Sequence, residues 1–129
     1  MKRTLLLGLI AILILSACKK KNDDIVISLK GKWNAQSVSY KEFDNGALIN
    51  SYSENLIKTT FDFRNNGSLI ITDEYGTETF SYSIQNATTV EFDGMVFEIR
   101  NLTGNSVTLY TREEYAPNNY AELTFNLTR

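Results

Sequence analysis

The sequence predicts an all-β chain, a single eight-stranded antiparallel up-and-down β-barrel preceded by a signal peptide and a short tether. Three observations predict it. From Gly31 onward apolar and polar residues alternate, with no helical period anywhere in between. Turn residues interrupt that alternation at short intervals. At three separate hairpins the turn chemistry sends the large apolar residues to one common face, whereas a one-residue slip would send one whole set to solvent.

The elements follow in chain order. Met1 to Ala17 has a basic start at Lys2 and Arg3, an apolar run from Leu5 to Leu15, and small residues at its end, the three parts of a secretory signal. It is too short for a spanning helix, which takes about 20 apolar residues. Cleavage before Cys18 makes the chain's one cysteine the new N-terminus and leaves 112 of the 129 residues, enough for one domain. The expected divisions are 1–17 for the signal, 18–30 for the N-terminus, tether and a cap at Ile25 to Leu29, and 31–129 for the barrel. Lys19 to Asp24 is charged or polar at every position and reads as a solvated tether.

The strands come next. Lys32 to Lys41 is the first, with Trp33 and Ala35 on one face. Glu42 to Asn55 is expected to be a long polar connection around Asp44-Asn45-Gly46, with a ragged strand at Ala47 to Tyr52. Lys58 to Arg64, Ser68 to Glu74, Thr77 to Ile84, Thr89 to Phe92, Met95 to Arg100, Ser106 to Glu113 and Tyr120 to Thr128 complete the eight. A three-residue loop at Asn65-Asn66-Gly67 pairs Phe63 with Leu69. A two-residue turn at Tyr75-Gly76 pairs Ile71 with Phe80 and Leu69 with Tyr82. A turn at Asp93-Gly94 pairs Phe92 with Met95 and Val90 with Phe97. Eight sequential hairpin strands have two edges to hide, and closure removes both, which favours a barrel over an open meander.

Composition narrows the function. Histidine is absent, so the commonest general base, the commonest metal ligand and every Ser-His or Cys-His arrangement are absent with it. Glycines sit singly in turns, and no zinc spacing or phosphate loop occurs. The acidic doublets Asp23-Asp24, Asp73-Glu74 and Glu113-Glu114 put neighbouring carboxylates on opposite strand faces. The expectation is therefore a protein without catalysis, metal or cofactor. Lys2 and Arg3 leave with the signal, so eleven basic residues face fifteen acidic ones, a balance of −4 with no basic footprint for nucleic acid. Four Asn-x-Ser/Thr triplets, at Asn66, Asn86, Asn101 and Asn126, read as ordinary turn and strand residues.

Leu15-Ser16-Ala17-Cys18 resembles the lipobox of bacterial lipoproteins. That resemblance implies a diacylglyceryl thioether and an N-terminal acyl chain (palmitate) on Cys18, and more than one chain holds a protein firmly on a membrane. The basic-then-acidic order after Cys18 looks like export signals of Bacteroidetes surface lipoproteins, and Lys19 is not the Asp of an inner-membrane retention signal. An outer-membrane location is the expectation. Gly31-Lys32-Trp33 resembles the Gly-x-Trp signature of lipocalins, and Phe61 to Gly67 with Ile99 to Leu109 is similar to small lipocalin-like domains of Bacteroidetes lipoproteins. The chain is shorter than transport lipocalins and lacks their Thr-Asp-Tyr motif. The resemblance implies a basic residue stacked across Trp33, which Arg129 or Arg112 would supply.

Phe61, Phe63, Phe80, Tyr82, Phe97 and Phe125 are the candidate cavity-lining residues, and the same bulk, with Trp33 and Phe92, suits a packed interior. Two functions follow. The lipid-anchored barrel binds or carries a small lipophilic ligand, with Glu42 to Asn55 as a lid. Alternatively, it is a ligand-free module contacting an envelope protein partner, with Tyr110, Tyr115 and Tyr120 around Pro117-Asn118-Asn119 as the contact patch.

Overall fold

A computed structural model of the chain describes residues 29–129. The expected signal peptide, Cys18 and the polar tether lie outside the described residues, as does all of the expected cap except Leu29. Among the described residues nine strands form one sheet: β1 (Gly31–Asp44), β2 (Ala47–Asn55), β3 (Thr60–Phe63), β4 (Ser68–Thr72), β5 (Thr77–Asn86), β6 (Thr89–Phe92), β7 (Met95–Arg100), β8 (Ser106–Ala116) and β9 (Asn119–Thr128). Every pairing is antiparallel. Eight strands, β1 and β3 to β9, close a barrel, and β2 stands outside it.

Closure depends on β1. Its first residues pair with β3, from Gly31↔Phe63 to Asn34↔Thr60. On its other side it pairs with β9 from Asn34↔Thr128 to Phe43↔Tyr120, with a bulge between Ala35 and Ser37. The extra residue, Gln36, bends the strand and reverses its alternation. Trp33 and Ala35 therefore face inward before the bulge, and Val38, Tyr40 and Glu42 face inward after it.

The hairpins show how far turn chemistry fixes register. Asn65-Asn66-Gly67 is a three-residue loop with Gly67 at φ 81°, and Phe63 pairs with Leu69 as expected. Asp93 and Gly94 both adopt positive φ, the signature of a type I′ turn, and Phe92 pairs with Met95 and Val90 with Phe97. The middle hairpin corrects the expectation. Its turn centres on Glu74-Tyr75, because the Asp73 carboxylate accepts hydrogen bonds from the Tyr75 and Gly76 amides (2.8 and 3.0 Å) and Asp73 N donates to Gly76 O. Leu69 thus pairs with Phe80, and Ile71 with Glu78. A shift of two residues keeps every side chain on its expected face.

Glu42 to Asn55 is also corrected. It is no irregular connection or lid, since β1 continues to Asp44, turns through Asn45 (φ 50°) and Gly46 (φ 78°), and returns as β2. Asn-Gly is the pair that a type I′ turn favours, so the hairpin is locally encoded. The strand expected from Lys58 begins at Thr60, after Lys58 at φ 59°.

The core is the barrel interior. Leu29, Trp33, Ala35, Phe61, Phe63, Leu69, Val90, Phe92, Phe97, Val107, Leu109 and Leu127 are all buried. Each large side chain among them contributes about 1.5–3 kcal/mol over its exposed state. One barrel end, here called proximal, gathers Leu29 with the 64–67, 87–88 and 101–105 connections. The other, distal end carries the 73–76 and 93–94 turns and the β1–β2 and β8–β9 hairpins.

Trp33 plugs the proximal end. Its indole Nε1 donates to Leu29 O (2.8 Å), and the Arg129 guanidinium lies 4.0 Å over its ring. Arg129 also donates to Lys30 O (2.7 Å) and Gly104 O (3.0 Å), so one side chain ties the start of β1, the β7–β8 connection and the end of β9 together. Arg112 stacks instead on Tyr120. Gly31 is fixed twice over: its φ of +108° disfavours any side chain, and a Cβ there would lie 3.3 Å from Arg129 Nη1. Gly31→Ala is expected to lower unfolding free energy by about 2 kcal/mol, measured by urea denaturation. An unchanged midpoint would contradict this account of the proximal lock.

Candidate functional site

The six residues expected to line a cavity face the interior, where rings fill the space. Phe92 and Phe97 stack at 4.4 Å with planes 4° apart, and Phe61 meets Phe125 at 5.2 Å. Phe63 meets the Tyr82 ring edge-on at 5.1 Å, while Tyr82 Oη donates to Arg64 O (2.7 Å). Phe61–Phe92, Phe63–Phe92 and Phe97–Phe125 complete a continuous chain of ring contacts. Phe61, Phe63 and Phe97 are fully buried, and Phe80, Tyr82 and Phe125 are half-buried against them. Four recesses among the described residues lie at the surface, and none of them is lined by any of these six side chains.

What protrudes is an arm. Beyond the barrel wall, the distal parts of β1, β8 and β9 continue together with all of β2, in the order β2-β1-β9-β8. The tips are tied: Gly46 N donates to Asn118 O and Asn45 N to Asn119 Oδ1, both at 2.9 Å. Register sorts the arm's side chains onto two faces.

The outer face is internally satisfied. Tyr120 is stacked on Phe43 (4.5 Å) and covered by the Arg112 guanidinium (3.6 Å), which also reaches Glu114 (3.1 Å). Tyr110 lies under Arg100 (3.6 Å) and donates to Glu122 (3.0 Å). These contacts brace the arm's strands against one another in place of a core. They also separate the three tyrosines expected to form one patch: Tyr110 and Tyr120 are engaged on this face, whereas Tyr115 lies at a β8 bulge and points to the other.

The inner face is different. It carries Tyr40 and Glu42 from β1, Tyr52 and Glu54 from β2, Thr111, Glu113 and Tyr115 from β8, and Ala121 and Leu123 from β9. Tyr52 is 52% exposed and donates to Glu54 (2.5 Å). Across the distal mouth, a recess of about 370 Å³ runs between Glu54 to Thr59 and Asp73 to Tyr75, with Tyr75 90% and Ile57 76% exposed.

The phenols report the local charge. The hydrogen bond to Glu54 holds the Tyr52 phenol above its ordinary value. Tyr75 is raised by the charge of Glu74 first, with Asp73 and Glu54 adding to it. Tyr115 is raised by desolvation and then by Glu42, Tyr40 and Glu113. Among the described residues the ion pairs are Arg64–Asp62, Arg100–Glu98 and Arg112–Glu114, so Glu42, Glu54 and Glu113 have no cation within pairing distance. The Glu113-Glu114 doublet splits across the sheet as expected, while Asp73-Glu74 sits in a turn. Among the described residues, no group of His, Cys, Asp and Glu is gathered to hold a metal.

Sequence alone misses this face because it reads Glu42 to Asn55 as a long polar connection with only a ragged strand at Ala47 to Tyr52, where β1 and β2 form a continuous hairpin. The available signal was the Asn45-Gly46 pair, which marks a hairpin and so extends both flanking strands. No protein-family model matches the chain, and no curated protein matches its sequence significantly.

A raised folded-state phenol pKa favours the neutral form. Its contribution to stability is complete below the unfolded value of about 10 and is lost as pH rises through the folded value. In an alkaline titration followed by phenolate absorbance, Glu54→Gln should move the Tyr52 phenol to earlier ionisation, with a smaller shift in the same direction at Tyr75. A curve identical to that of the parent protein would contradict the Tyr52–Glu54 contact.

Proposed function

We propose that this chain is a lipid-anchored contact module: Cys18 carries acyl chains, the filled barrel is a rigid mount, and the distal arm meets a protein partner in the cell envelope. The observation that carries this reading is the interior, where Phe61, Phe92, Phe97 and Phe125 touch one another in the space a ligand would need. An eight-stranded barrel is near the size that side chains alone fill. Carriage of a small lipophilic molecule, the other use of a lipocalin-like barrel, needs room where these rings now meet. The reading is of binding without catalysis.

Chain geometry supports the orientation. Leu29 seals the proximal end, and the eleven Cα-to-Cα steps from Cys18 to Leu29 reach at most about 40 Å when fully extended. A protein held at Cys18 is attached at its proximal end, which stays within that reach of the bilayer and leaves the arm at the opposite end of the molecule. The lipobox-like stretch and Lys19 support an outer-membrane address.

Native mass spectrometry of the full chain purified from its own host tests both halves. The expected mass is that of the chain from Cys18 plus its acyl groups, with nothing released on denaturation, and Cys18→Ser should lose those groups and leave the membrane fraction. A stoichiometric lipophile released on unfolding would overturn the contact reading. A Cys18→Ser protein still acylated and membrane-bound would overturn the anchor.

A further inference from the structure

The arm ends in two sheet edges: the distal part of β8, which has no β7 partner beyond Tyr110 and is broken by the bulge at Tyr115, and the longer edge of β2. Among the described residues β2 pairs with β1 alone, and all nine of its residues are exposed. The orientation of its backbone groups follows from one bond. Leu56 N donates to Gln36 O (2.9 Å) in register with Val38↔Glu54 and Tyr40↔Tyr52, so those residues bond to β1. By the antiparallel alternation, the N–H and C=O groups of Ser51, Ser53 and Asn55 turn outward.

Such edges are ordinarily blunted by lysine, proline or a bulge. Here a bulge at Ile49 disturbs the tip, but Asn50 to Asn55 contains no lysine, arginine or proline. A strand added along this stretch would place alternate side chains on the inner face beside Tyr52 and Glu54. Glu42 and Glu113 lie farther across that face, and Glu74 and Asp73 lie across the distal recess. Lys58 lines that recess with Glu54, Asp73 and Glu74. Lys41 and Arg112 are on the outer face, where Arg112 is committed to Tyr120 and Glu114.

We infer that the β2 edge of the arm docks an extended, lysine- or arginine-bearing segment of a partner protein, which pairs through Ser51, Ser53 and Asn55 and lays its cations against Glu54 and Tyr52. Charge selects this occupant. A second copy pairing β2 with β2 would set two acidic faces side by side, whereas a cationic strand supplies what Glu42, Glu54 and Glu113 lack. Main-chain pairing supplies affinity, and the carboxylates and tyrosine rings supply selection for positive charge. The inference rests on the contact reading and names the chemistry of its partner.

The test uses the full chain and two capped synthetic probes, an alternating threonine–lysine peptide and its threonine–glutamate counterpart, followed by amide NMR. The lysine peptide should slow exchange at the Ser51, Ser53 and Asn55 amides, and should bind at least roughly tenfold tighter than the glutamate peptide at low salt. Methylating alternate peptide nitrogens should abolish binding to the unaltered protein. Ser53→Pro should do the same while leaving the melting temperature in place, because that N–H faces solvent. Glu54→Gln should weaken binding severalfold and reduce its salt dependence.

Equal binding of the two peptides, no binding of the lysine peptide, or protection confined to the barrel wall would overturn the inference. So would protection of Ser53 without peptide at a dimer's sedimentation coefficient, the signature of a second copy. These results leave the contact reading intact, whereas a lipophile in the barrel removes that reading itself.

Discussion

The structure depends on the double pairing of β1. One strand must hydrogen-bond to β3 on one side and to β9 on the other, or the sheet keeps two open edges. The Gln36 bulge makes this compatible with the side-chain pattern. It lets Trp33 and Ala35 close the proximal interior while Val38 and Tyr40 stay on the inner side of a strand that has begun to leave the wall. The Gly31–Trp33–Arg129 lock secures the same seam from below, since Arg129 follows β9 and reaches the carbonyl just before β1. Barrel and arm are thus two consequences of one strand being longer than the barrel is tall.

That length divides the chain's physics. Inside the barrel, stability comes from buried rings and aliphatic side chains. In the arm there is no core, and pairing is supported by Phe43, Tyr120 and Arg112 stacked on the outer face and by tip-to-tip hydrogen bonds. The inner face is left with exposed tyrosines and with carboxylates that have no cationic partner among the described residues. The rings of Phe97 and Phe125 are taken up by contacts with one another and with Phe61 and Phe92, whereas Tyr52 and Glu54 stand exposed on the arm.

Much of the fold was legible because turn chemistry and alternation constrain each other. Asn65-Asn66-Gly67 and Asp93-Gly94 specify loop length through their left-handed residues, and loop length fixes which side chains face inward. The Glu74-Tyr75 turn was misplaced by one residue because the Asp73 side chain, which caps it, competes with glycine as a turn signal. The Trp33–Arg129 contact was reached only through a resemblance to lipocalins; spacing alone does not bring residue 129 to residue 33. The arm's inner face was illegible for a plainer reason. The ragged strand expected at Ala47 to Tyr52 buries neither face, so alternation does not fix its extent, and only pairing with β1 carries it to Asn55.

The central claim is that side chains, not a ligand-sized space, occupy the barrel. Xenon binding tests it most directly, because a dry apolar cavity takes up the gas whatever its natural ligand. In xenon-pressurised crystals of the protein, the account predicts no xenon among the rings of Phe61, Phe97 and Phe125. A well-occupied xenon site bounded by those three rings would contradict it.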